Sequence, residues 1–124
     1  MYQSFYVALG GSLGALSRHY LVKWIGTMGL SFPLGTLSVN IIGSFIIGLL
    51  FESSQKLSIL PIISPLIFIG FLGSLTTFST FSLQTMQLIK SGQLNLAGLF
   101  IASQLILGLS ATFIGMQIAE YLWG

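Results

Sequence analysis

Cysteine is absent from this 124-residue sequence, and charge is nearly absent: four Lys or Arg and two Asp or Glu are 5% of the residues. Without cysteine the chain has no disulfide, no thiolate nucleophile and no thiolate metal site. One histidine and two acids leave almost no acid–base chemistry, so we expect no enzyme. Soluble domains carry roughly 25% charged residues. These shortages exclude a soluble domain.

Apolar length is what the sequence has instead, with 54% hydrophobic residues and a mean hydropathy of +0.97. Polar and charged residues divide it into four apolar stretches, at about residues 4–25, 33–52, 61–90 and 94–121. A spanning helix needs ~20 apolar residues, and backbone in lipid must satisfy its own hydrogen bonds. The sequence therefore predicts an all-α membrane protein, with residues 1–124 forming a single domain of four transmembrane helices in the lipid bilayer.

Basic residues beside the spans give a weak orientation signal. Arg18, Lys23 and Lys90 are predicted on one side of the membrane and Lys56 on the other. The margin leaves open whether the chain inserts in one orientation or in both. The same four residues are scattered and form no phosphate-tracking stripe, so nucleic acid is not a predicted partner.

Small residues spaced four apart recur in the first, second and fourth stretches. In membranes such pairs let helix backbones approach closely. We therefore expect a tightly packed bundle and an oligomer. The pairs are Gly10 with Gly14, Gly11 with Ala15, Ser44 with Gly48, and Ala111 with Gly115.

The middle of the third stretch is rich in hydroxyl groups, because six of the nine residues from 74 to 82 are Ser or Thr. We call residues 74–82 the hydroxyl cluster. Such side chains offer the backbone alternatives to its helical hydrogen bonds. Non-helical backbone at membrane depth is tolerated only when it is buried in protein or lines a polar cavity. The sequence predicts a third helix broken near the bilayer midplane.

Asn40 lies near the middle of the second stretch, where its amide either holds helices together or donates a hydrogen bond to something that crosses. Phe78 and Phe81 either belong to the core or present positive ring edges to an anion. Arg18 either snorkels to the interface or forms an electropositive vestibule. Amide, hydroxyl and ring-edge donors together suit a small, strongly hydrated anion. The choice between packing and pore lining is also open for Ser103, Gln104 and Ser110.

Three stretches carry a family resemblance: residues 10–18 (GGSLGALSR), 35–45 (GTLSVNIIGSF) and 70–82 (GFLGSLTTFSTFS). Together they resemble the Fluc (CrcB) fluoride channels over essentially the whole chain. The resemblance implies an antiparallel, dual-topology dimer with two pores in the plasma membrane of a prokaryote. Such a dimer exports fluoride passively from the cytoplasm and so reduces its toxicity. Whether the partner is an identical chain, giving a homodimer, or a related chain, giving a heterodimer, is left open.

The resemblance also implies roles for particular residues. Asn40 would donate to fluoride, and Phe78 and Phe81 would give it their ring edges. Arg18 would lie in the vestibule at the wide entrance. The hydroxyl groups along the fluoride pathway would be those of Ser79, Thr80, Ser82 and Ser110.

A structural sodium ion is a further implication of the resemblance. Backbone carbonyl groups of Gly73 and Thr76, at the helix break, would hold it. Carbonyls freed from helical bonding are suitable hard-oxygen ligands.

Two other functions compete with a fluoride channel. A small four-span multidrug transporter relies on a membrane-embedded Glu in its first span, whereas the charged residue of this first span is Arg18. A structural membrane subunit would use its polar residues only to hold helices together. Transport by the purified chain alone would exclude that second alternative.

Overall fold

The computed structural model describes residues 2–26, 31–58 and 60–124, and every regular element in these ranges is helical. The all-α prediction is therefore confirmed over the described residues. Three elements are long and uninterrupted: α1 (Tyr2–Gly26), α2 (Leu34–Leu57) and α6 (Leu94–Trp123). Between α2 and α6 lies a composite stretch of shorter elements. These are α3 (Leu60–Ile63), a π-helical segment (Ser64–Leu72), α4 (Gly73–Leu75) and α5 (Phe78–Lys90).

Among the described residues, three helical stretches are long and apolar enough to cross a membrane: Leu34–Leu57, Ser64–Lys90 and Leu94–Trp123. A helix rises about 1.5 Å per residue, so even the 24 residues of Leu34–Leu57 exceed the ~30 Å of a hydrocarbon core. The chain is a multi-pass membrane protein. With 25 residues α1 is also long enough to cross a membrane. Its polar residues, however, make its mean hydropathy lower than that of the three stretches.

The second helix continues past the predicted span, which ends at residue 52. It ends at Leu57, and Ser58 adopts a left-handed conformation with φ 57° and ψ 32°. The Ser58 N–H bonds back to the Ser54 carbonyl, which closes the helix. Polar side chains do not by themselves end a helix. The composition of the sequence therefore predicted where the apolar span ends, whereas the helix itself ends where the backbone changes conformation at Ser58.

Helices α2 and α6 form a parallel pair along their whole length. The ring of Phe32, just before α2, packs edge-on against Phe100, and the Thr112 hydroxyl donates to the Ser44 carbonyl at 3.0 Å. Near the far end the Trp123 indole donates to the Ser53 hydroxyl at 3.1 Å. Each contact joins residues about 70 apart in sequence, which is the signature of parallel helices.

Glycines allow the α2 and α6 backbones to touch. A side chain at Gly48 would collide with the Thr112 carbonyl, and one at Gly115 would collide with the Phe45 carbonyl. Ala111 is also buried in this seam. The expectation that small residues bring the helices together is confirmed.

Glycines also allow the α1 backbone to touch that of the composite stretch. A side chain at Gly10 or Gly14 would collide with the carbonyls of Leu66 and Phe71, respectively. Gly70 of the π-helical segment faces back onto the Gly10 backbone. These contacts hold the π-helical segment against the middle of α1.

The helix directions separate the charged residues into two ends. Because α1 and α5 finish at the same end as α2 and α6 begin, Arg18, Lys23 and Lys90 gather there, and we call this the basic end. Glu52, Lys56 and Glu120 lie at the other end, which we call the acidic end. Leu37, Leu88, Ala97 and Phe100 form the hydrophobic core cluster toward the basic end.

Candidate functional site

The composite stretch is interrupted at two extended residues. Thr76 has φ −84° and ψ 157°, and Thr77 has φ −150° and ψ 119°. Helix α4 ends just before them and α5 begins just after. Both residues have sterically allowed backbone conformations. The cause of the interruption is therefore the choice of hydrogen-bond partners by the backbone groups around it.

Two backbone amides are diverted from their helical partners. In a continuous helix the Thr77 N–H would bond the Gly73 carbonyl, but it donates to Asn40 Oδ1 at 2.8 Å. The Thr80 N–H would bond the Thr76 carbonyl, but it donates to Thr77 Oγ1 at 3.2 Å. The carbonyls of Gly73 and Thr76 therefore lose the helical donors they would otherwise have. These are the two carbonyls that, by the family resemblance, would hold a sodium ion.

Asn40 holds the interruption in place through both ends of its amide. While Oδ1 accepts from the Thr77 N–H, Nδ2 donates to the Thr77 carbonyl at 3.1 Å and to Gln104 Oε1 at 2.9 Å. One side chain thus connects α2, the interruption and α6. Of the two roles left open for Asn40, this bonding is the one expected of interhelical glue. The role of fluoride donor stays a prediction.

Most of the hydroxyl cluster is bonded locally. The Thr76 and Ser82 hydroxyls return their hydrogens to carbonyls one turn back, those of Leu72 and Phe78, both at 3.0 Å. Thr77 Oγ1 donates to Thr80 Oγ1 at 3.0 Å, so the Thr80 hydroxyl is left to donate elsewhere. Through such bonds, Ser and Thr side chains compete with backbone groups for hydrogen-bond partners in a helix.

Phe78 and Phe81 contact each other, with ring centroids 5.5 Å apart at 58°, yet their surroundings differ. Phe78 is 78% exposed. Phe81 is half-buried and packs on Phe100, with centroids 5.2 Å apart, against the hydrophobic core cluster. Phe81 therefore has a packing role in the chain itself, whereas Phe78 has a ring that the single chain does not cover.

An open cavity of about 390 Å³ lies at the interruption, and we call it the central cavity. It brings together five residues that the sequence analysis placed in the site. None of the described residues lining it is charged. The five are Asn40, Gly73, Thr76, Phe78 and Phe81.

A second, more polar cavity of about 250 Å³ lies on the other side of Thr77, toward the basic end, and we call it the polar cavity. Half-buried Arg18 lines it together with Thr80 and Thr36. Thr77 lines both cavities. Arg18 therefore lines the same cavity as Thr77 of the interruption, and its role in a vestibule stays a prediction.

The structure leaves three predicted pathway residues outside both cavities. Ser79 and Ser110 are exposed in the single chain, and the Ser82 hydroxyl bonds the Phe78 carbonyl. Ser110 lies on α6 beyond Gln104, toward the acidic end. Their roles stay predictions.

Buried polar atoms identify three further residues, of which the sequence had indicated only Gln104, as packing or pore lining. Within the described ranges, Thr36 Oγ1, Gln84 Oε1 and Gln104 Nε2 are buried without a hydrogen-bond partner. Thr36 is only 1% exposed and lies four residues before Asn40, on the same face of α2. That spacing was a usable signal. Gln84 and Thr36 also line a smaller cavity of about 190 Å³ near the start of α2.

Comparison with known proteins adds an independent observation. Residues 5–116 match the family described as CrcB-like protein, Camphor Resistance (CrcB). A protein of Magnetococcus marinus is 43% identical, covering 93% of this chain and 95% of its own length. One from Citrifermentans bemidjiense is 44% identical, covering 98% of this chain and all of its own. One from Hahella chejuensis is 45% identical, covering 93% and 92%. All three are named fluoride-specific ion channel FluC.

Proposed function

The chain belongs to the CrcB family, and we propose that it is a fluoride-specific ion channel that exports fluoride passively from the cytoplasm of a prokaryote. The observation that carries the proposal to this chain is the central cavity, which two Phe residues, two side-chain amides and the residues of the freed carbonyls line at a helix interruption. An ion must bind well enough to enter a pore and weakly enough to leave. Neutral donors meet both conditions for an anion.

Export needs no catalytic group or energy-coupling residue in this proposal. An inside-negative potential favours exit of one anionic charge by ~2.3 kcal/mol per 100 mV. Arg18 raises the local anion concentration in the polar cavity, which the Thr80 side chain also lines. Phe78 and Phe81 then offer positive ring edges.

We propose that α1 is the fourth transmembrane helix. Tyr6 and Trp24 are separated by about 27 Å along it at 1.5 Å per residue, close to the ~30 Å hydrocarbon thickness. Both are exposed, as expected of aromatic residues at the two membrane interfaces. The glycine contacts with the π-helical segment run along the middle of the helix, which supports a position of α1 at the same depth as the composite stretch.

The interruption then lies near the bilayer midplane, because Thr77 is the middle residue of the 27-residue stretch Ser64–Lys90. Irregular backbone facing lipid at that depth is not tolerated. The extended residues Thr76 and Thr77 are half-buried and buried, but Gly73, Phe78 and Ser79 beside them are exposed in the single chain. A second protein surface over these three residues would keep lipid away from the interruption. We propose an antiparallel second copy or a related chain, which brings the two interruptions face to face at the same depth.

We propose further that the carbonyls of Gly73 and Thr76 hold a structural sodium ion. Support comes from the diverted amides of Thr77 and Thr80, which leave these hard oxygen atoms without their helical donors. A bound cation supplies positive charge that offsets the carbonyl dipoles. Replacing sodium by a bulky organic cation is expected to lower the midpoint of thermal unfolding of the purified protein.

Fluoride efflux from liposomes that contain only this purified chain tests the proposed function, with chloride efflux measured in parallel. Fast fluoride release with chloride retained is the expected result. A well-folded protein that releases neither ion would contradict a self-sufficient channel. Adding a related partner chain would then separate a missing partner from a structural subunit.

A further inference from the structure

We propose that Gln104 of α6 supplies a side-chain amide donor to an anion in the central cavity. The inference rests on the proposed function and deepens it. It begins from the only feature of the central cavity that the fold leaves unexplained among its described residues, a buried Gln104 amide nitrogen without a partner.

Backbone groups fix which way the Asn40 amide points. The Thr77 N–H can only donate and the Thr77 carbonyl can only accept. The Asn40 atom 2.8 Å from that N–H must therefore be its oxygen, and the atom 3.1 Å from that carbonyl must be its nitrogen. An amide assignment that is usually ambiguous is unambiguous at this residue.

The orientation of Gln104 follows from that of Asn40. Asn40 Nδ2 has two hydrogens; the first goes to Thr77, and the second points to a Gln104 atom 2.9 Å away. That atom must accept, so it is Oε1. The Gln104 nitrogen, with two hydrogens, is consequently the group without a partner.

The amide nitrogens of Asn40 and Gln104 thus differ in their hydrogen bonding. Both hydrogens of the Asn40 amide are committed to holding the interruption. The two hydrogens of the Gln104 amide have no acceptor. A buried donor without a partner costs stability, so its presence calls for a function. Gln104 lines the central cavity together with Phe78 and Phe81.

The terminal torsion of a glutamine side chain is soft, so a modest rotation turns Nε2 toward the cavity while Oε1 stays near Asn40. A small anion with a strong demand for hydrogen bonds is the ligand that this donor fits. Its contribution is a neutral N–H bond to a charged acceptor, one of the stronger classes of hydrogen bond.

The test compares Gln104→Met and Gln104→Glu with the unchanged chain in the fluoride efflux assay, normalised to folded protein. Methionine keeps the volume and removes both donor and acceptor without adding charge. Glutamate keeps an acceptor for Asn40 and removes the donor. The matched control is Gln87→Met, at an exposed position of α5 outside the central cavity.

Gln104→Met is expected to lose roughly 10- to 100-fold in fluoride flux per folded protein, the range of one hydrogen bond to a charged group. Gln104→Glu is expected to lose at least as much, because its carboxylate also repels an anion. The control is expected to stay within about twofold of the unchanged chain. The midpoint of thermal unfolding is measured for all four proteins, because a glue residue changes stability rather than flux per folded protein.

Flux within about twofold of the unchanged chain in folded Gln104→Met, whatever its stability, would overturn the inference, since one lost hydrogen bond to a charged group costs more. Retained flux in Gln104→Glu would do the same, because that variant preserves only the glue role. If the unchanged chain itself releases no fluoride, the proposed function has failed instead. The two failures are therefore distinguishable.

Discussion

At the scale of single residues, Phe78 and Phe81 show how two similar side chains acquire different duties. Their rings touch, but Phe78 is 78% exposed while Phe81 packs on Phe100 in the hydrophobic core cluster. Phe81 therefore contributes to packing within the chain. Phe78 has no comparable packing in the single chain, so packing does not account for its ring.

Replacing each ring by isoleucine separates these duties. Phe78→Ile is expected to abolish fluoride efflux with the smaller effect on thermal unfolding, because it loses only the exposed ring contact with Phe81. Phe81→Ile should abolish efflux and also lower the free energy of unfolding by about 1 kcal/mol more, because it loses the ring contact with Phe100 as well. Phe113→Ile, at an exposed ring of α6, is the control and should change neither quantity.

Conducting, stable Phe78→Ile protein would remove Phe78 from the pathway. A Phe78→Ile variant that does not fold would assign the ring a packing role in the assembled protein.

Asn40→Asp combines a change of charge with a loss of hydrogen bonds. The carboxylate cannot donate to the Thr77 carbonyl or to Gln104, and leaving such groups without donors costs about 1–3 kcal/mol each. It also repels an anion. We expect abolished efflux together with a lower midpoint of thermal unfolding, measured on the same preparation; undiminished efflux would place Asn40 outside the pathway altogether.

The sequence located these residues but not their partners. The depth of Asn40 and the density of hydroxyls in residues 74–82 are visible along the chain, because each depends on position within one stretch. The bonds from Asn40 to Thr77 and Gln104 join residues 37 and 64 apart. Such pairings depend on which helices are neighbours, and hydropathy carries no information about that.

At the scale of elements, the interruption of the composite stretch results from competition for two amides. Asn40 takes one and the Thr77 hydroxyl takes the other. The hydroxyl cluster indicated that such competition was available, although of its six hydroxyl residues only Thr77 caps α5. The π-helical segment before it was not predicted. A π-helical segment has no characteristic spacing of apolar residues by which it could be predicted. The local sequence feature at its start is Pro65, which cannot donate a backbone hydrogen bond.

The glycine seam between α2 and α6 gives a prediction with a control on the same helix. Gly115→Ala places a methyl group against the backbone of Phe45 and within 2.8 Å of the Leu49 nitrogen. Overpacking of this kind costs about 1–3 kcal/mol. Gly98→Ala meets nothing within 4 Å and should be neutral or stabilising by up to about 1 kcal/mol. Thermal unfolding in one detergent compares them, and equal effects would mean that the seam tolerates separation.

At the scale of the whole molecule, charge and exposure are unevenly distributed over the chain. Three basic residues lie at one end, and both acids with a single lysine lie at the other. The central cavity, midway between the ends, is open beside the exposed Phe78 and Gly73. An antiparallel partner would close the cavity and also balance the two ends, since each end of the pair would then carry the same charge.

The natural absence of cysteine makes that arrangement measurable. Gln55→Cys places one thiol at the acidic end and Gln93→Cys places one at the basic end, both at exposed positions. A membrane-impermeant maleimide applied to intact cells should label about half of each variant if both orientations are present, because a margin of three basic residues to one fixes orientation only weakly. Permeabilised cells give the total and serve as the control. Complete labelling of one variant and none of the other would mean a single orientation, and the antiparallel partner would then have to be a different chain.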